Sequence, residues 1–129
     1  MGAVDLNIPV LIVDDYKTML RTMGILLKRL GFENVDEASD GHEALEKLLD
    51  RPYSLVISGW DMQPMSGLDL IRQMRANASL DTVHVVMVSA ENGDENVTAA
   101  KRAGAAEYIV KPFCASALKA RLMPILGRF

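Results

Sequence analysis

Cysteine is almost missing from this chain. Cys114 is the only one in 129 residues, which excludes an internal disulfide and suits a reducing compartment. A lone thiol with no histidine marked out beside it reads as a packing or bystander residue. Basic clusters are missing too: the net charge is -3, and no run of Lys and Arg offers the surface that nucleic acid or an anionic membrane requires. Nowhere do about 18 apolar residues run together, so no membrane span is expected. The start, MGAVDLNIPVLIVDD, carries acid where a secretion signal needs a basic flank. A cytoplasmic protein without nucleic-acid or membrane partners is the expectation.

What the chain does have is a repeating pattern. Half of it is apolar, enough for one domain with a real core, spanning 1–129 with its centre at about 9–126. Short apolar runs at Val10–Val13, Val35–Ala38, Leu55–Ser58, Val83–Val88 and Tyr108–Val110 read as strands, and amphipathic segments lie between them. The first segment places Met19, Met23, Leu26, Leu27 and Leu30 on one face, with Gly31 as its stop. Asp40 and Glu43 have capping-box spacing before Ala44, Leu45, Leu48 and Leu49, and Ser66 caps a helix whose buried stripe is Leu68, Ile71 and Met74. The fourth helix, Asp94–Ala103, has only Val97 and alanines for its inner face, which predicts the weakest docking. In the fifth, Leu118, Leu122 and Ile125 point inward, and Pro124 predicts an end or kink near Leu122.

Strands alternating with helices predict an α/β fold, a doubly wound five-stranded parallel sheet with right-handed crossovers. Ligands of such sheets sit beyond the carboxyl ends of the strands. Asp14 and Asp15 follow the first strand, Gly59, Trp60 and Asp61 the third, Ser89 the fourth, and Lys111-Pro112 the fifth. Acids, a hydroxyl and an ammonium suit Mg²⁺ and a phosphoryl group, whereas the soft or imidazole clusters of a zinc site are missing. Two carboxylates about 4 Å apart repel by roughly 4 kcal/mol at an effective dielectric near 20, so a cation or ammonium beside them is physically motivated. The two histidines, His42 and His84, lack ligand-like pairing and read as surface residues. The eight methionines read as core filler, and Trp60 as loop packing or a fluorescent reporter.

VDD at 13–15, SGWDMQPMSG at 58–67, MVSAENG at 87–93 and YIVKPF at 108–113 occur in the order and spacing of one family. From about Val10 to Leu126 the chain resembles a CheY-like receiver domain, the response-regulator half of two-component signalling. The resemblance implies a flavodoxin-like strand order, 2-1-3-4-5, which is the order given for this family among doubly wound folds. It also implies an aspartyl phosphate formed at the end of the third strand with Mg²⁺ as shield. On that pattern Asp14 and Asp15 are metal-binding acids, Asp15 the more direct ligand, and Asp61 offers its backbone carbonyl. Lys111 pairs with the phosphate and precedes a cis bond to Pro112. Ser89 and Tyr108 form a switch pair, the ring swinging inward behind the hydroxyl. The loop departs from the family at Gln63-Pro64 and at Ser66.

The main departure is Gly59, which stands at the phosphoacceptor position. A chain without that carboxylate is expected to form no aspartyl phosphate and to bind Mg²⁺ more weakly. Gly59 is either a substitution at the acceptor or the mark of a naturally phosphorylation-independent receiver. Ser58 as replacement acceptor points to the opposite face by strand alternation. The implied role is a stand-alone, monomeric signalling module rather than an enzyme. Its implied partners are a chemotaxis-type sensor histidine kinase, docked on the first helix, and a flagellar motor switch or other output protein on the fourth helix, fifth strand and fifth helix. A Mg²⁺-dependent phosphohydrolase with Asp14 as nucleophile is the alternative, although such enzymes usually place their acids two apart. A flavin-binding role is weaker, because two carboxylates repel phosphate.

Overall fold

The computed structural model describes residues 2–91 and 93–129. Five strands, β1 Val10–Val13, β2 Val35–Ala38, β3 Leu55–Gly59, β4 His84–Ser89 and β5 Glu107–Val110, form one parallel sheet in the order β2-β1-β3-β4-β5. The helices between and after them are α1 Lys17–Leu30, α2 Gly41–Asp50, α3 Gly67–Arg75, α4 Asp94–Ala103 and α5 Ala115–Leu126. A 3-10 turn at Ala78–Leu80, absent from the sequence reading, leads into β4.

Strand alternation divides the interior into two layers. Val10, Ile12, Leu55, Ile57, Val86, Val88 and Ile109 pack under α1 and α5 with Leu27, Leu118 and Leu122. Leu11, Val13, Val56, Val85, Met87 and Tyr108 pack on the other side with Ala44, Leu70 and Ala100 of α2, α3 and α4. Both faces are covered, as a parallel sheet requires.

Local signals fixed the helix starts. The Asp40 carboxylate accepts from the Glu43 amide at 2.8 Å, while the Glu43 carboxylate reaches back to the Ser39 amide at 2.8 Å. Ser66 Oγ accepts from the Asp69 amide at 3.1 Å. Gly31 ends α1 at φ 105, a left-handed geometry that favours glycine.

Several inward faces are rotated from those predicted. Leu20 is buried in α1 and Met19 only half so; Leu70, not Leu68, is fully buried in α3; and Leu49 of α2 is 60% exposed. Leucine spacing alone leaves the facing direction open by about one position, and packing against the sheet decides it. Helix α5 does not end near Leu122 but runs on to Leu126. Pro124 lies inside α5 near its end, where it removes one amide donor, and the helix still closes with the Gly127 amide donating to the Met123 carbonyl at 3.0 Å. Ile125 and Leu126 hold that last turn by packing on the α1 and α5 layer.

Candidate functional site

Parallel strands deliver their carboxyl ends to one edge, and the order reverses between β1 and β3. The register pairs Val13 with Ser58. One step further, Asp14 and Gly59 therefore lie side by side and send their substituents to the same face. Asp14 is 4% exposed although it is an acid. Its Oδ1 accepts from the Tyr16 amide at 2.9 Å, and its Oδ2 lies 3.7 Å from Lys111 Nζ. Burial pushes the Asp14 carboxyl above the usual range, with the Tyr16 amide and the Lys111 ammonium pulling against that and Asp15 adding to it.

Gly59 has an extended, strand-like backbone that any residue can adopt. A Cβ built there would meet Asp14 Oδ2 at 2.6 Å and the Asp14 carboxyl carbon at 3.2 Å. The ground beside Gly59 is thus occupied by the Asp14 carboxylate. By contrast, Gly67 is demanded by the fold: a Cβ there would run into the Gly59 carbonyl oxygen, part of the backbone itself. The α3 start is pressed against the end of β3, with the Gly67 amide donating to the Trp60 carbonyl at 2.9 Å.

The remaining predicted residues divide between the two faces. Lys111 joins Asp14; its bond to Pro112 is cis, and a second cis bond precedes Pro64. Asp15 is exposed and accepts from the Gln63 amide at 3.3 Å, which ties the first loop to the third. Asp61 is exposed in the loop after β3. Ser89 and Tyr108 belong to the opposite face: Ser89 Oγ, 3% exposed, accepts from the Glu91 amide at 3.1 Å. The buried Tyr108 hydroxyl donates to the Glu91 carbonyl at 2.6 Å. Trp60 meets the Tyr108 ring edge-on at 6.1 Å. Asn92 of the MVSAENG motif lies outside the described residues. Ser58 is fully buried and donates to the Gly59 carbonyl at 2.9 Å, facing away from Asp14.

Sequence reading missed three features: Asp14 beside Gly59, the Gln63 amide on Asp15, and the Glu91 carbonyl as anchor of Tyr108. The first was available in principle from the strand ends, since Val13 and Ser58 are the last apolar-run residues of adjacent strands. The other two are backbone groups, which carry no sequence signal.

Among the described residues no group of three or more His, Cys, Asp or Glu is placed to hold a metal ion. Asp14 already spends one oxygen on an amide and the other on an ammonium. As arranged, these residues do not form a carboxylate cage for Mg²⁺.

A sheet in this order, with acids after β1, a hydroxyl after β4 and Lys-Pro after β5, defines a receiver. Residues 10–123 match the response regulator receiver domain family, and the chain belongs to it. Within that family it is of the chemotaxis CheY type. It is 43% identical over 122 residues to chemotaxis protein CheY-3 of Vibrio cholerae, covering 95% of this chain and 94% of that one. The structure of CheY4 from Vibrio cholerae superposes with a TM-score of 0.86 at 29% identity, over 93% of this chain and 99% of the other. A receiver domain of a Pseudomonas aeruginosa sensor histidine kinase, 21% identical, shares the fold with a TM-score of 0.84 over 94% and 98% of the two chains; that protein has magnesium coordinated in its active-site cleft. The chain is a CheY-like response-regulator receiver of two-component signal transduction.

Proposed function

We propose that this receiver forms no acyl phosphate and acts through docking alone. The observation that carries the reading is Gly59: the acceptor position has no side chain, and the nearest carboxylate, Asp14, is buried with both oxygens engaged. Asp14, Asp15 and the Asp61 carbonyl remain as cation-facing groups. With the acceptor carboxylate gone, a Mg²⁺ ion would meet fewer charges there and would bind weakly. Lys111 keeps its place as the phosphate-pairing cation without a phosphate to pair with. Ser89 and Tyr108 keep the switch positions, with Tyr108 turned inward. The same engagement of Asp14 speaks against a phosphohydrolase, because a nucleophile must reach its substrate.

The partners that fit are those of the CheY type. A sensor histidine kinase docks at the α1 side of the site, where Tyr16 is 67% exposed. An output protein, such as a flagellar motor switch component, docks on α4, β5 and α5. There a cleft of about 490 Å³ is lined by Val110, Phe113, Ala117 and Arg121. The protein works in the cytoplasm as a monomeric, non-catalytic single domain; no described helix is long and apolar enough to cross a membrane.

The test is intact mass and Trp60 fluorescence after exposure to acetyl phosphate and Mg²⁺. The parent chain is expected to gain no phosphate, and Gly59→Asp to gain one. One equivalent of phosphate on the parent overturns the reading.

A further inference from the structure

Glycine in the middle of a helix is unfavourable relative to alanine, and it has a use there where something must approach the backbone closely. Among the described residues three glycines lie within helices. Gly41 and Gly67 open theirs, and a Cβ at either would run into Met65 or the Gly59 carbonyl. Gly24 sits midway along α1, and a Cβ there would meet nothing within 4 Å. The fold does not ask for this glycine. In front of it lies a groove of about 600 Å³ between α1 and the edge strand β2, a size usual for binding pockets. Phe32 and Val35 form its floor, Lys28 stands on the α1 wall, and Glu33 and Glu37 stand opposite. The α1 wall is basic: the helix holds Lys17, Arg21, Lys28 and Arg29, all exposed, and no acid, in a chain of net charge -3. Arg21, Gly24 and Lys28 follow one another at helical spacing, so the notch at Gly24 has a cation on either side. Among the described residues neither Arg21 nor Lys28 has an acid within 4 Å. The charges of the two walls therefore face the groove without closing it.

We propose that this groove receives a helix of a partner protein, apolar along its middle, acidic along the edge that meets Arg21 and Lys28, and basic along the edge that meets Glu33 and Glu37. One apolar side chain enters at Gly24. Charge order on the two walls selects this occupant. A nucleic acid or an anionic membrane is negative throughout, and the two glutamates repel it. An added strand is blocked as well. The carbonyls of Asn34 and Ala38 turn toward β1, so that of Glu37 turns to the open edge, where the Lys47 ammonium already takes it. A second copy carries the same net charge of -3, which opposes self-association. The groove is separate from the strand-end residues and from the surface of α4, β5 and α5, so this partner is additional to those already named.

The probe is a fluorescein-labelled helical peptide of about 18 residues, with leucines along one stripe, Glu on one flank and Lys on the other. A second peptide carries Gln on both flanks. Anisotropy at an ionic strength of about 0.01 M, where screening is weak, is expected to show the full chain binding the charged peptide at least about tenfold more tightly. Lys28→Glu and Arg21→Glu are each expected to weaken that binding about tenfold, whereas Lys101→Glu, an exposed lysine of α4, changes it less than about twofold. Gly24→Gln fills the notch with a good helix former. It is expected to raise the urea midpoint and yet weaken the peptide about tenfold, a split that a purely structural glycine would not give. No preference for the charged peptide overturns the proposal, as does equal binding by Gly24→Gln and the parent. Flotation with phosphatidylserine vesicles that is lost in Lys28→Glu assigns the face to a membrane and overturns it. Dimerisation of the parent in sedimentation, abolished by Gly24→Gln, assigns the groove to a second copy and overturns it too. If Gly24→Gln does not fold by circular dichroism, the two charge variants decide, and unchanged binding in both overturns the proposal.

Discussion

At the scale of single residues, two glycines of the same site make opposite demands. At Gly67 a Cβ would strike the Gly59 carbonyl, backbone that cannot rotate away. Gly67→Ala is expected to cost about 3 kcal/mol by urea unfolding, as overpacking against main chain does. At Gly59 only the end of a flexible carboxylate stands in the way, and a strand gains from losing a glycine. Gly59→Ala is expected to stay within about 1 kcal/mol of the parent in the same measurement. A wide gap between the two would show that the fold requires one glycine and merely accepts the other.

Tyr53 carries a pH dependence of its own. Its buried hydroxyl donates to Asp36 Oδ2 at 2.6 Å. Burial first, and then the Asp36 carboxylate, push the phenol from 10.0 up to about 12. Between those values the folded chain holds a proton that the unfolded chain has released. Its stabilising contribution is thus complete below pH 10.0 and is lost as pH rises through about 12. Tyr53→Phe is expected to lower stability by about 1.5 kcal/mol at neutral pH and to flatten the alkaline fall seen by chemical denaturation across that window. An unchanged alkaline slope would assign the fall to other groups.

At the scale of elements, α4 is held differently from its neighbours. Ala100 is its one fully buried residue, with Val97 and Ala103 packed only in part. A groove of about 740 Å³ remains between α3 and α4, lined by Arg72, Asp94, Glu95, Thr98 and Arg102 among others. The end of α4 is fastened instead by Arg75 of α3. Its guanidinium donates to the carbonyls of Val83 and Gly104 at 2.8 and 3.0 Å, and to those of Leu80 and Asp81 at 3.1 and 3.2 Å. Small apolar burial leaves local opening inexpensive. Amide exchange in α4 is therefore expected to be the fastest among the five helices and at least about tenfold faster than in α1. Equal protection of α4 and α1 would show that Arg75 compensates fully for the missing apolar side chains.

At the scale of the whole molecule, the two ends of the chain meet. Ala3 bridges Arg128 in parallel, with the Val4 amide on the Arg128 carbonyl at 2.7 Å and the Arg128 amide on the Gly2 carbonyl at 2.9 Å. Phe129 meets Phe32 edge-on at 5.7 Å, over the layer that α1 and α5 share. Phe129→Ala is expected to lower unfolding stability by about 1–2 kcal/mol, through loss of ring contact. No measurable loss would mark the contact as incidental.

The α/β class, the strand positions, the caps at Asp40 and Ser66 and the stop at Gly31 were legible in the sequence, because each depends on residues a few positions apart. The strand order came with the family resemblance carried by the four motifs. Which residues gather at the strand ends was legible too, since every parallel strand must end at the same edge. Tertiary structure alone decided what those residues do to one another. Leu20 and Leu70 displaced Met19 and Leu68 as fully buried residues because packing, not spacing, sets a helix's rotation. Asp14 came to stand beside Gly59 because two strands distant in sequence lock in register. Lys111 arrives from a third strand to complete the pair. Periodicity is a property of neighbours along the chain, while the filling of a space depends on side chains that meet only after folding.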